Sequence, residues 1–178
     1  MEKSFSEGAA QLKTDRLDLY WLTLDDAGLM LTVWNDPAFI QFVGDRGVRT
    51  IEDATNALKA GAFRLYERCG YGPYRVTLRA TGETLGICGL FRRDNLDDPD
   101  IGFSLLPDFR GQGYASEAAM AVCTHAREHL SMPRLIALVA PENTASIGLI
   151  RKLGMHFERM ITMPGEDKDV CLYGVDWN

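Results

Sequence analysis

The clearest chemical signal in the chain is the run Arg110-Gly111-Gln112-Gly113-Tyr114-Ala115, which lies between a strand-like and a helix-like stretch. The first turn of a helix has backbone N–H groups without a partner inside the helix, and the helix dipole favours negative charge there. Two glycines allow a bulky anion to approach the main chain because they carry no Cβ. The spacing therefore predicts a phosphate-bearing ligand that is held mainly by backbone groups.

A second polar residue has the spacing of an inward-facing side chain. By the i, i+3, i+4 and i+7 rule, Ser146 shares one face of a predicted helix with Leu149, Ile150 and Leu153. A buried hydroxyl needs a hydrogen-bond partner. That partner is either a ligand or the backbone carbonyl of Glu142, to which a helical serine can bond back.

The elements on either side of the glycine-containing loop must position it. Asp100 to Leu106 is strand-like and is followed by Pro107, which favours ending a strand. Residues 115–130 place an alanine-rich apolar face at helical spacing, and the apolar run 134–140 predicts a buried strand. Strand, helix and strand in this order predict one parallel crossover.

The rest of the chain predicts helices first and hairpins later. Three helix-capping signals predict early helices, at Thr23, Asp36 and Thr50. The last of these helices should run through about Arg68, and two strands should follow around a turn at Thr81-Gly82. Residues 143–154 predict a further helix, and a final hairpin should turn at Pro164-Gly165. We expect a single α+β domain at residues 14–178, preceded by a loose leader at 1–13.

Composition restricts the class of protein. The 178 residues are 46% hydrophobic and 25% charged, which is typical of a globular domain with a full core. The net charge of −6 argues against nucleic acid as a direct partner. No stretch has the length of a membrane span or the pattern of a signal peptide, so no membrane partner is expected. The scattered cysteines suit reduced thiols in the cytoplasm.

Four segments together resemble the GNAT superfamily of N-acetyltransferases, from about residue 13 to residue 176. The first segment is Arg110–Ala115, which has the form (Arg/Gln)-x-x-Gly-x-(Gly/Ala) of the family's pyrophosphate loop, and the second is the preceding strand, Asp100–Leu105. The third is the Asn-x-x-Ser segment Pro141–Ser146, followed by Lys152–Met155. The fourth is Thr14–Leu17 together with Asp25-Asp26. The last of these resembles the opening of the RimJ/RimL-type branch of ribosomal-protein acetyltransferases. The resemblance implies a mixed, mostly antiparallel sheet of about seven strands flanked by helices.

The resemblance also implies a cofactor and its contacts. The donor would be acetyl-CoA and the acceptor a primary amine. Backbone N–H groups from Gln112 to Ala115 would hold the pyrophosphate, with Arg110, Gly111, Gly113 and Tyr114 completing the loop. The pantetheine arm would pair with backbone near Leu105 and Leu106, and Asn143 would contact the pantetheine region. Ser146 would protonate the departing thiolate, because no tyrosine occurs between Leu149 and Phe157 to take that role.

Acetyl transfer to an amine requires a base and a donor for the developing oxyanion. Asp100 is our first candidate for the base, because it begins the strand on which such enzymes often carry an acidic residue. An exposed carboxylate in an acidic turn is the competing interpretation. Glu142, the pair Glu166-Asp167 and a water chain without a single base are alternatives. The N–H of Leu106, at the strand break, is a candidate oxyanion donor.

The acceptor is left open. A protein N-terminal amine is one candidate, and a small amine such as an amino acid, polyamine or antibiotic is the other. Several aromatic residues are candidates for the acceptor wall: Trp34, Phe39, Phe42, Tyr66, Tyr71 and Tyr74. The acidic turn 163–169 could attract a cationic amine. Basic residues are candidates to balance the charge of the CoA phosphates: Arg92, Arg93, Arg110, Arg151 and Lys152.

Other classes remain as alternatives. A non-catalytic acyl-CoA-binding or sensing domain would keep the loop without the acid and base. The oligomeric state is open, with a homodimer as one option. His125-Ala126-Arg127-Glu128-His129 matches the H-x-x-E-H pattern of a class of zinc peptidases, but too little chain follows it to supply a third ligand and a substrate groove. No metal is expected.

Overall fold

The computed structural model describes residues 8–177 and places eight strands in one sheet. The strands are β1 (Leu12–Lys13), β2 (Leu17–Trp21), β3 (Pro73–Leu78), β4 (Thr84–Phe91), β5 (Asp100–Leu105), β6 (Arg134–Val139), β7 (His156–Thr162) and β8 (Asp169–Asp176). Their order across the sheet is β1-β2-β3-β4-β5-β6-β8-β7.

Four helices lie between β2 and β3 in the chain, and two follow β5. They are α1 (Ala27–Trp34), α2 (Pro37–Phe42), α3 (Ile51–Leu58), α4 (Arg64–Cys69), α5 (Tyr114–Glu128) and α6 (Thr144–Lys152). Short 3₁₀ turns cover Leu24–Asp26 and Pro107–Phe109, and a π-helical turn, Lys59–Phe63, joins α3 to α4. Within residues 8–177 no helix is long and apolar enough to cross a membrane.

Sheet topology confirms the predicted fold class. Every neighbouring pair of strands is antiparallel except β5 and β6, which are parallel as the strand–helix–strand pattern predicted. The sheet has eight strands where about seven were expected. The additional strand is β1, in which Leu12 pairs with Leu19 and Lys13 with Asp18. The predicted leader boundary at residue 13 was therefore wrong for these two residues, which belong to the sheet; residues 1–7 lie outside the described part of the chain.

Local capping explains where the early helices begin. The side chains of Thr23 and Thr50 each form a reciprocal capping box, with Asp26 and Asp53. The Asp36 carboxylate accepts the Phe39 N–H at the start of α2. The long helix predicted through Arg68 is instead α3 and α4 joined by the π-helical turn. Such turns are often found at functional sites, and this one lines a cavity described below.

Two hydrophobic clusters lie on opposite faces of the sheet. Neighbouring strand residues point to opposite faces, and Cys88 belongs to the cluster under α5 whereas Ile87 belongs to the cluster under α1 to α4. Three fully buried alanines of α5, Ala118, Ala119 and Ala126, contribute to the first cluster. The early helices pack on the other face, where they and the sheet enclose a cavity.

Candidate active site

Two cavities meet beside the ends of β5 and β6. The larger cavity, about 710 Å³, lies among α1 to α4 and the sheet. The smaller cavity, about 550 Å³, runs along the start of α5 and the start of α6. The residues that line both are Phe39, Phe42, Val43, Phe103, Ser104, Asn143 and Ser146. Two ligands, one in each cavity, would therefore meet at these side chains.

The loop before α5 presents open backbone donors to the smaller cavity. Gly111 and Gly113 have φ angles of +71° and +82°, which favour glycine. The first intrahelical hydrogen bond runs from the Glu117 N–H to the Gly113 carbonyl. Within residues 8–177, the N–H groups from Gln112 to Ser116 have no other hydrogen-bond partner. Unpaired N–H groups at the start of a helix are what an anion cradle requires, and anion binding by this loop stays a prediction.

Arg16 and Glu117 support the loop from the neighbouring hairpin. The Arg16 guanidinium bonds the Glu117 carboxylate at 2.6 Å and the Gln112 carbonyl at 3.2 Å, and lies 4.4 Å from the centre of the Tyr114 ring. The Thr14 hydroxyl and the Arg16 N–H also donate to Glu117. Sequence reasoning identified Thr14–Leu17 only as part of a resemblance and missed this role, because the partners are about one hundred residues apart.

Arg110 differs from its predicted role. Its Nε donates to the Leu105 carbonyl at 2.8 Å, and its Nη2 donates to the Asp36 carboxylate at 2.7 Å. The Arg110 guanidinium is thus paired inside the protein and links the loop to the start of α2. Its side chain still lines the smaller cavity, but its charge is already balanced by Asp36.

A gap between β5 and β6 exposes backbone groups. The two strands share only the Asp100–Ile136 bridge. Because the Leu106 N–H bonds the Leu85 carbonyl on β4, strand alternation turns the N–H and C=O groups of Phe103 and Leu105 towards the gap. The prediction for Leu106 needs correction, because its N–H donates to the Leu85 carbonyl on β4 and its carbonyl accepts the Phe109 N–H. Neither the predicted pantetheine pairing nor the oxyanion role suits Leu106.

Asn143 and Ser146 lie together at the start of α6. Asn143 caps the helix, its side-chain oxygen accepting the Ser146 N–H at 3.2 Å. Both side chains are half-buried and line both cavities. The Ser146 hydroxyl makes no hydrogen bond to the Glu142 carbonyl or to any other described residue, so it is open to a ligand. Ser104, which the sequence did not single out, places a second hydroxyl at the same junction.

Asp100 is buried rather than part of an exposed acidic turn. It is 2% exposed, lines the larger cavity, and accepts hydrogen bonds from two guanidinium nitrogens of Arg93, Nε at 3.0 Å and Nη2 at 3.3 Å. Burial raises the pKa of Asp100, although Arg93 opposes this change. Four strand positions separate it from Ser104, about 13 Å at the usual rise per residue. The structure therefore places Asp100 in the cavity but away from the junction.

Other predicted residues divide between the two cavities. Arg92 and Arg93, expected near the CoA phosphates, line the larger cavity, whereas Lys152 lines the smaller one and Arg151 is on the lining of neither. Of the six aromatic candidates, three line the larger cavity, Trp34, Phe39 and Phe42. Tyr66 and Tyr74 are instead buried in the two hydrophobic clusters.

The two histidines of the H-x-x-E-H match stack on each other. The His125 and His129 ring centres are 5.3 Å apart, and burial together with His129 lowers the pKa of His125. Among the described residues, no three His, Cys, Asp or Glu side chains are grouped so that they could hold a metal ion.

Comparison with known proteins agrees with this geometry. The family described as acetyltransferase (GNAT) domain matches residues 16–156. The uncharacterized N-acetyltransferase p20 of Bacillus licheniformis is 27% identical over 151 residues, which cover 84% of each chain. The crystal structure of an acetyltransferase from Agrobacterium tumefaciens str. C58 has a TM-score of 0.79 at 24% identity, over 99% of each chain.

A further solved structure contains coenzyme A. RimL, a ribosomal L7/L12 alpha-N-protein acetyltransferase in complex with coenzyme A, has a TM-score of 0.77 at 20% identity, and covers 92% of this chain and 95% of its own. At that identity the similarity shows the fold. The match over residues 16–156 includes the loop, the gap and the start of α6. The chain therefore belongs to the GNAT acetyltransferase family and is an N-acetyltransferase, a class of enzyme that takes its acetyl group from acetyl-CoA.

Proposed function

We propose that this protein transfers an acetyl group from acetyl-CoA to a primary amine, with both substrates bound at once. The observation that carries the proposal is the junction of the two cavities at Ser104, Asn143 and Ser146. The smaller cavity would hold the donor and the larger cavity the acceptor. A ternary complex of this kind brings the reacting groups together and lowers the entropic part of the barrier.

The smaller cavity suits coenzyme A in its chemistry. Open N–H groups from Gln112 to Ser116 can bind the pyrophosphate, and Lys152 adds a positive charge. The N–H and C=O groups of Phe103 and the N–H of Leu105 face the gap and can pair with the amides of the pantetheine arm, whereas the Leu105 carbonyl already accepts Arg110 Nε. RimL, which shares this fold, binds coenzyme A. We therefore assign the loop 110–116 and the gap between β5 and β6 to the donor.

Direct attack needs no enzyme nucleophile. The acceptor must first lose a proton, because an ammonium ion has no lone pair. Asp100, about 13 Å along β5 from Ser104, is the proposed base and would act through a chain of several waters. The amine nitrogen then bonds to the acetyl carbon while the carbon–sulfur bond breaks. The departing thiolate receives the proton of the Ser146 hydroxyl, and the proton that the nitrogen loses as the amide forms returns to Ser146. Acetyl-CoA supplies the activated thioester. Of the described residues that line the two cavities, none is a cysteine, so no thiol is placed to form an acyl-enzyme.

The oxyanion that develops on the acetyl group needs fixed donors. With the Leu106 N–H bonded to Leu85, the remaining candidates are the Leu105 N–H, which faces the gap, and the side-chain amide of Asn143. The Asn143 side-chain oxygen caps α6, so its NH₂ group remains to donate a hydrogen bond. We propose that Asn143 both starts the helix and contributes to binding at the junction.

Two observations bear on the class of acceptor and on the branch of the family. Similarity to RimL and the Thr14–Leu17 segment support a RimJ/RimL-type enzyme, for which a protein N-terminal amine would be the acceptor. The larger cavity, at about 710 Å³, has the size of small-molecule sites and supports a small amine. All four cysteines are free, which supports a reducing, cytoplasmic location.

The test is release of free thiol from acetyl-CoA across a panel of amines, with the acetylated product identified by mass. Turnover with at least one amine supports the proposal. Tight coenzyme A binding without turnover on any small amine or peptide would instead support a non-catalytic acyl-CoA-binding domain. An acetyl-thioester trapped on the protein would contradict direct attack.

A further inference from the structure

The larger cavity carries a charge opposite to that of the whole protein. Its lining contains five arginines and two aspartates, and no lysine, histidine or glutamate, so its formal charge is +3. The complete chain has a net charge of −6. The charged residues of the lining are Arg46, Arg64, Arg68, Arg92, Arg93, Asp94 and Asp100. A surplus of this kind within a low-dielectric wall attracts anions and repels cations.

Two of these arginines are already neutralised. Arg93 pairs with Asp100 at 3.0 Å, and Arg68 pairs with Asp94 at 3.4 Å. Arg92 donates to the backbone carbonyl of Asp97, which does not balance its charge. Within residues 8–177, neither Arg46 nor Arg64 forms an ion pair. The uncompensated charge of the cavity therefore resides on Arg46, Arg64 and Arg92.

Arg46 lies beside a residue of the junction between the two cavities. Its guanidinium carbon is 6.0 Å from the centre of the Phe39 ring, and Phe39 lines both cavities. Burial and the like charge of Arg93 lower the pKa of Arg46, while Glu166 partly opposes this. Arg46 is an exposed residue that also lines the larger cavity. A guanidinium that lines a cavity and forms no ion pair is a binding group for an anion.

We propose that the acceptor is a small amino acid-like amine that carries a carboxylate, and that Arg46 binds this carboxylate while the amine lies at the junction. The proposal rests on the proposed function and specifies its acceptor. A carboxylate matches the planar fork of one guanidinium with two parallel hydrogen bonds. The apolar part of the acceptor would contact Trp34 and Phe42.

The same charges disfavour cationic acceptors. A polyamine or an aminoglycoside would bring additional ammonium groups into a cavity that is already positive, and like charges at close range are costly. The acidic turn at 163–169 contributes Glu166 near Arg46, but no residue of that turn lines the larger cavity. Attraction of a cationic amine by that turn, considered from the sequence, is therefore the weaker interpretation.

The test compares matched acceptors that differ in charge. Thiol release from acetyl-CoA is measured with a set of L-amino acids and with their carboxamides, together with spermidine, phosphoethanolamine and a peptide with a free N-terminus. We expect kcat/KM to be about 10- to 100-fold higher for at least one amino acid than for its carboxamide, the usual range for a hydrogen-bonded charge pair. Arg46→Gln should remove most of that ratio, whereas Arg127→Gln, an exposed arginine at the far end of α5, should preserve it.

Several results would overturn the inference. One is a higher kcat/KM for spermidine, the carboxamides, phosphoethanolamine or the peptide than for every amino acid. Another is an equal loss of kcat/KM for an amino acid and its carboxamide in Arg46→Gln. If no amine is acetylated, the proposed function fails, and the charge inference is judged separately by calorimetry on the coenzyme A complex. N-acetyl amino acids should then bind more tightly than their carboxamides to the original protein but not to Arg46→Gln; equal binding would reject the role of Arg46.

Discussion

The Arg16 guanidinium and the Glu117 carboxylate lie 2.6 Å apart and join the first hairpin of the sheet to the first turn of α5. Arg16 also bonds the Gln112 carbonyl, so one side chain holds both the loop and the helix that follows it. The N–H groups proposed to bind pyrophosphate belong to this segment. Their orientation therefore depends on a contact between residues that are far apart in sequence.

Breaking this contact should weaken donor binding more than chemistry. We expect Arg16→Ala to raise the KM for acetyl-CoA about 5- to 10-fold, corresponding to a lost hydrogen bond of ordinary strength, with little change in kcat. Steady-state kinetics with acetyl-CoA varied would measure it. Arg127→Ala, on the exposed side of the same helix, is the matched control. A drop in kcat at unchanged KM would mean that Arg16 acts on the chemical step.

Glu117 should make stability depend on pH. Burial raises the pKa of Glu117, but hydrogen bonds from Thr14 and Arg16 outweigh burial and bring it below its usual value of 4.5. Its contribution to stability is thus complete above the unfolded pKa and is lost as pH falls through the lower folded pKa. Thermal unfolding of the original protein and of Glu117→Gln should differ at neutral pH and converge as the pH falls through the lowered pKa of the folded state. A constant difference across that range would refute the ionic role.

Gly113 should matter for both stability and binding. Its φ of +82° strains any L-residue, and an added Cβ would lie 3.3 Å from Nη2 of Arg16. Gly113→Ala should lose about 1–2 kcal/mol of unfolding free energy and raise the KM for acetyl-CoA. Gly82→Ala is a matched control, because Gly82 has a φ of +76° with nothing near its Cβ position and lies outside both cavity linings. It should lose similar stability, and a KM change in both variants would indicate a general folding defect.

The two hydroxyls at the junction can be distinguished. If Ser146 protonates the thiolate, Ser146→Ala should lower kcat about 100-fold, the lower end of the usual range for a lost proton donor. Ser104→Ala should leave kcat within a few-fold of the original value. Rapid-quench measurement of the chemical step would separate chemistry from product release. A larger effect in Ser104→Ala would move the role to that residue.

Asp100 is tested by the pH dependence of the rate. A general base acts only when ionised, so the rate should fall as pH drops through the Asp100 pKa, which burial raises above 3.8. Asp100→Asn should lower turnover about 100-fold and abolish the fall in rate that ionisation of Asp100 causes at acidic pH. The pH dependence that remains would come from ionisation of the acceptor amine. Asp94→Asn, which changes an exposed aspartate of the same cavity, is the control. An unchanged pH profile in Asp100→Asn would exclude Asp100 as the base.

The sequence by itself determined the local elements and the loop. Capping at Thr50, the alternation of the strands, and the two glycines of the loop act over a few residues, so their patterns are visible in the chain. The strand–helix–strand order also determined the parallel pair. Short-range patterns could not reveal β1, whose two residues are a strand only because they pair with β2.

Tertiary structure alone decided the partners and the charge of the site. Arg110 is bound to Asp36, Arg16 to Glu117, and Arg93 to Asp100, and the first two of these pairs link segments 74 and 101 residues apart. The positive larger cavity likewise gathers arginines from three separate stretches of an acidic chain. Electrostatic energy depends on distance in space, so the net charge of the sequence could not indicate the sign of the cavity.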